Sequence, residues 1–97
     1  MRTDYVQIMK MMGNTHCLAI LLLLDRGSRT LDRLVHDTGY SETNIGYHIK
    51  RLRDKGLVSG ERDGHQMVYR LADRSGELSG FIGNVAETFR DARRLAA

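Results

Sequence analysis

Glu42, Thr43, Asn44, Tyr47, Lys50, Arg51 and Lys55 share one side of a stretch in which Ile45, Ile49 and Leu52 recur at helical spacing. The hydroxyl of Thr43 and the amide of Asn44 are groups that exchange hydrogen bonds with base edges, whereas Lys50 and Arg51 supply cations for phosphate oxygens. From Lys50 to Lys55 there are four cations against one carboxylate, so positive potential gathers beside the polar groups. The chemistry on offer is recognition of a nucleic-acid duplex. Bond-making chemistry has no comparable support: there is no glycine-rich phosphate loop, no paired carboxylates and no nucleophile motif, and so short a chain leaves little room for a pocket. No enzymatic activity is expected.

The elements that must position these residues are legible around them. Leu34 and Val35 belong to a short helix near 31–38, Gly39 closes it, and Ser41 is placed to cap a second helix over 42–55, so residues 31–55 have the grammar of a helix-turn-helix. Gly27, Gly39 and Gly56 each follow a helical stretch where a left-handed residue would close the last turn. Upstream, Tyr5, Ile8, Met9 and Met12 fall on one face of a helix over 4–12. Asn14 or Thr15 can cap a further helix to about Asp25, whose Leu18 and Ile20 to Leu24 leave it little polar surface and a central place. Downstream, Leu57-Val58 and Met67 to Leu71 flank an Asp63-Gly64 turn signal as two strands of a wing over 57–71.

From Ser75 the pattern is helical through 96, with Leu78, Ile82, Val85, Phe89, Ala92 and Ala96 spaced by alternating fours and threes, as in a coiled-coil seam. Gly80 and Gly83 are costly inside a helix and fit close approach of another helix. We read this segment, with Tyr5, Ile8, Met9 and Met12 of the first helix, as a homodimer interface. The alternative is a helix folded back on its own core.

At 97 residues with 41% apolar content, the chain is expected to form a single domain over 1–97 with a modest core that gains from dimerisation. A net charge of +3, from 15 basic and 12 acidic residues, is a mild basic excess. The single cysteine, Cys17, excludes an intramolecular disulfide and is compatible with a reducing cytoplasm. The longest apolar run, Leu18 to Leu24, is cut by Asp25-Arg26 well short of the roughly 20 residues a membrane span needs, and the residues after it offer no small-residue cleavage site. A cytoplasmic protein without membrane contact is expected.

Taken in order, helix, buried helix, helix-turn-helix, wing and terminal helix resemble the ArsR/SmtB family of winged-helix transcriptional repressors over about residues 5–92. The most specific parts are SETNIGYHIKRLRDKGLV at 41–58, similar to the family's reading helix and the Gly-Leu-Val after it, and ERDGHQMVYRL at 61–71, similar to its wing. The resemblance implies a mainly α fold with a two-stranded β wing. It also implies a cytoplasmic homodimer that sets one reading helix per subunit in successive major grooves of a pseudo-palindromic double-stranded operator. Ser41, Glu42, Thr43, Gly46, Tyr47 and His48 then face or border the DNA. Arg62 and His65, near the wing tip, are placed for the adjacent backbone or minor groove. Gly46 departs from the family's usual serine; it weakens the helix but lets its backbone come closer to the groove. His48, between two core isoleucines, also reads as a packed side chain, and Tyr47 as a rim aromatic.

Familiar metal sites of the family are not matched. Its third-helix cysteine pair falls on Thr30 and Asp32, and no histidine follows His65. No metal or other cofactor is therefore expected, and the effector is left open. Two other readings stand beside a DNA-binding repressor: a winged helix for protein-protein docking, for which Glu42 and Asp54 speak, and a metal or redox sensor built from His16, Cys17 and His36 across a dimer.

Overall fold

In the computed structural model, residues 5–72, 80–85, 87–88 and 90 are described. The order is α1 (Tyr5–Met12), α2 (Thr15–Asp25), β1 (Arg29–Thr30), α3 (Leu31–Thr38), α4 (Glu42–Asp54), β2 (Val58–Asp63) and β3 (Gln66–Leu71). Residues 80–85 are helical. The chain is thus mostly helical with a small antiparallel sheet, as the sequence indicates.

Local chemistry sets the helix ends. The Asn14 side-chain oxygen accepts from the backbone N–H groups of His16 and Cys17 to start α2. Thr30 caps α3 by accepting from Arg33 N, and Ser41 caps α4 by accepting from Asn44 N. Gly39, at φ 73°, ends α3 in the left-handed conformation expected of it, with its N–H on the Val35 carbonyl. Gly27 does not act this way. Helix α2 ends on right-handed Arg26, whose N–H reaches the Leu23 carbonyl, while Gly27, at φ 149°, donates its N–H to the Leu24 carbonyl from the loop beyond.

The core lies where α2 meets α1, α3, α4 and β3. Cys17, Ile20, Leu21 and Leu24 of α2 pack with Leu34 of α3, Ile45, Ile49 and Leu52 of α4, and Leu57, Val58 and Tyr69 of the wing. Each helix lays one apolar stripe on α2, which is why α2 itself has almost no polar face.

The two-stranded wing is present as β2 and β3, and β1 adds a third strand to its sheet: the order is β1-β3-β2, because Arg29 pairs with Tyr69 and Thr30 with Val68. Strand β2 also runs further than Leu57-Val58, to Asp63, which pairs with Gln66 across a Gly64-His65 loop. Gly64 has φ 63°, at the first central position where a type II′ hairpin turn calls for glycine. Gly60 lies beneath the Tyr69 ring; a Cβ there would sit 3.0 Å from it.

Of the residues expected in a dimer seam, Met12 and Ile82 are buried within this chain's own core, Val85 packs against that core, and Met9 is 60% exposed. Met12 and Ile82 are therefore engaged inside one chain, Ile82 in the fold-back arrangement that was the alternative for the terminal segment. Leu78, Phe89 and Ala92 lie outside the described residues, as do the side chains of Tyr5 and Ile8.

Candidate nucleic-acid interface

Helix α4 buries Ile45, His48, Ile49 and Leu52 and leaves Glu42, Thr43, Gly46, Tyr47, Lys50 and Arg51 exposed. At 100° per residue, Thr43, Tyr47, Lys50 and Asp54 form the ridge opposite the core, with Gly46 and Arg53 on one flank and Arg51 on the other. Ser41 stands at the helix start, its hydroxyl occupied by the cap. Arg62 and His65 are exposed on the wing.

Two residues expected to read DNA are placed differently. His48 is only 7% exposed and turns inward: its Nδ1 lies 3.6 Å from the Cys17 Sγ, and its ring stacks on His16 at 4.9 Å. Asn44 is half-buried, and its Oδ1 is buried with no hydrogen-bond partner among the described residues. Thr43 is thus the better-exposed of the two polar groups first matched to base edges. Tyr47 is 61% exposed, packs edge-on against His48, and has the Arg51 guanidinium 5.8 Å from its ring centroid. That contact holds the cation beside the ridge.

Electrostatics follow the same layout. Lys50 approaches Asp54 at 3.6 Å, but both side chains are well exposed and the pair is weak. On α3, Arg33 pairs with Asp37 at 3.1 Å, with Arg29 of β1 at 3.7 Å from the same carboxylate. Burial pushes the Cys17 thiol above its usual range, against the opposing charge of Arg51, so it is a poor nucleophile. Burial, then the charges of His16 and Arg51, lower the His48 pKa from its usual 6.5. A lowered folded-state value means that the unfolded chain binds the proton more readily. The contribution is therefore present above pH 6.5 and is lost as pH falls through the folded value. The urea midpoint is expected to drop between neutral pH and the folded pKa, and His48→Gln should flatten that part of the profile. An identical slope in the variant would contradict the assignment.

The residues of the alternative sensor do not come together within the chain. His16 packs on His48 and Tyr40, Cys17 is fully buried, and His36 is exposed beside Asp37. Among the described residues no group of three or more His, Cys, Asp or Glu side chains is placed to hold a metal ion. No helix among them is long and apolar enough to cross a membrane.

The sequence family described as bacterial regulatory protein, arsR family, matches residues 18–59, the span from α2 into β2. A transcriptional repressor named SmtB from Mycobacterium tuberculosis H37Rv is 38% identical over 56 residues, 58% of this chain and 42% of that protein. Over this span the chain is similar to the ArsR family of regulators. Solved relatives share the whole winged helix. The winged helix-turn-helix domain of Mb0332 from Mycobacterium bovis, described as homodimeric and DNA-binding, superposes with a TM-score of 0.78 at 25% identity, covering 91% of this chain and 80% of that one. Rv0081 from M. tuberculosis superposes with a TM-score of 0.79 at 25% identity, covering 95% and 89%. The ArsR-family match to SmtB spans less than half of that repressor's length. The curated relatives are named as transcriptional regulators or repressors.

Proposed function

We propose that this chain is a member of the ArsR family and a homodimeric, sequence-specific DNA-binding transcriptional regulator, acting as a repressor in the cytoplasm. The observation that carries this reading is the exposed ridge of α4, where Thr43, Tyr47 and Lys50 stand clear of the core next to basic residues of the same helix. Such a helix fits a major groove, its N-terminal polar groups at base edges and its later cations at phosphates. Dimerisation is supported by the homodimeric relative and by exposed Met9 on α1. The signal it answers to is one other than the metals of the family's familiar sites, because Thr30 and Asp32 occupy the third-helix ligand positions and Thr30 is committed to capping α3.

Selection of bound sequences from genomic fragments tests the reading: an inverted repeat with half-sites one or two helical turns apart is expected. Thr43→Ala should then cost about 1–3 kcal/mol of discrimination at one base pair per half-site while leaving random-duplex binding unchanged. Equal loss on both duplexes would remove Thr43 from base reading. If no common sequence is recovered and binding vanishes at moderate salt, the protein-docking reading takes its place.

A further inference from the structure

An open groove of about 510 Å³ runs along the flank of α4 toward the sheet, lined by Gly46, Ile49, Lys50, Arg53, Asp54 and Tyr69. We propose that this groove seats a sugar–phosphate segment of the bound duplex, and that the missing side chain at Gly46 is what admits it. The proposal rests on the DNA-binding reading above and names which part of the duplex occupies this surface.

Gly46 is the first reason. Glycine inside a helix is accounted for where a positive φ or a close neighbour requires it, and Gly46 has neither: its φ is not positive, and an added Cβ would meet nothing within 4 Å. Gly60 shows the contrast in the same chain, since the Tyr69 ring fills the space its Cβ would need. The bare backbone at Gly46 opens outward, so the body it accommodates comes from outside the chain.

Charge is the second reason. Arg53 makes no ion pair among the described residues, and the exposed Lys50–Asp54 contact leaves the ammonium available to a stronger anion. Ile49 and Tyr69, both largely buried, provide an apolar floor suited to deoxyribose. The position is the third. Gly46 and Arg53 lie on one flank of the helix, with Lys50 at the edge of the ridge nearest them, so a strand bordering the groove read by Thr43 would run along the flank toward the sheet.

Contacts to the DNA backbone carry no sequence information. Gly46→Leu, which fills the mouth of the groove, is therefore expected to weaken binding to a selected operator duplex and to a random duplex alike, on the order of tenfold each. Gly46→Ala should raise the melting temperature, showing that the helix tolerates a side chain there. Arg53→Ala should lower the slope of log affinity against log salt by about one on both duplexes. Fluorescence anisotropy of the full chain with labelled duplexes at several salt concentrations reads all of these, with thermal melts confirming folded variants. A Leu variant that binds as the parent does overturns the proposal, as does a loss confined to the operator, which would put Gly46 at base edges. An unchanged salt slope in Arg53→Ala overturns it too. A parent that binds neither duplex overturns it together with the DNA-binding reading, whereas a parent that binds normally beside an unaffected Leu variant overturns the groove alone.

Discussion

Carrying glutamate at both Lys50 and Arg51, the protein is expected to bind operator and random duplex about 100-fold more weakly at roughly 0.1 M salt, with its far-ultraviolet circular dichroism unchanged. Both side chains are exposed on α4, so the reversal leaves the packed stripe of Ile45, Ile49 and Leu52 intact. Each cation that meets a phosphate contributes about 0.9 to the salt slope, so losing two costs roughly 60-fold at that salt, and the new carboxylates add repulsion. Titration of the variant across salt concentrations should also show a slope shallower by about two. Binding that is indifferent to the reversal would mean that this surface meets a protein rather than DNA.

The largest effect on stability is expected from Leu52→Ala. Leu52 is fully buried in the core that joins α4 to α2, and truncating such a leucine costs about 2–5 kcal/mol in lost transfer energy and residual cavity. Small domains have only about 5–15 kcal/mol in total, so the loss is a large part of what holds the fold. Urea denaturation should show a much lower midpoint with a similar slope. A shift below about 1 kcal/mol would mean that the site collapses around the deletion and that α4 is held mainly by its other contacts.

Helices α2, α3 and α4 were legible because their signals are local: a cap residue, a near-continuous apolar run in α2 or an apolar stripe at helical spacing in α3 and α4 and, for α3, a closing glycine. The inward packing of His48 was one of two readings open from its place between Ile45 and Ile49. Its partner was not legible, since Cys17 lies 31 positions away and only the packing of α2 on α4 brings the two together. Strand β1 was missed because two residues carry no periodicity; Arg29 and Thr30 become a strand only by pairing with β3. The outer part of β2 was missed because Ser59 to Asp63 is mostly polar and solvated, with no apolar alternation to announce it. Gly60 was the available clue, since a glycine inside a strand often marks a close approach. The half-buried state of Asn44 was hidden for a related reason: helical spacing puts it at the margin of the exposed face, and only its neighbours decide which way it leans.

Thr30 joins two parts of the molecule at one residue. Its backbone pairs with Val68 of β3, and its hydroxyl caps α3, the helix that precedes the exposed ridge. The hairpin and the ridge are in this way bolted to a common bracket and should pivot together as one rigid tool, with little independent swing of the hairpin. In the DNA-binding dimer proposed above, a signal that tightens or releases the grip would then have to turn the whole tool, by changing the angle between the two copies, since bending it from within would require breaking the bracket.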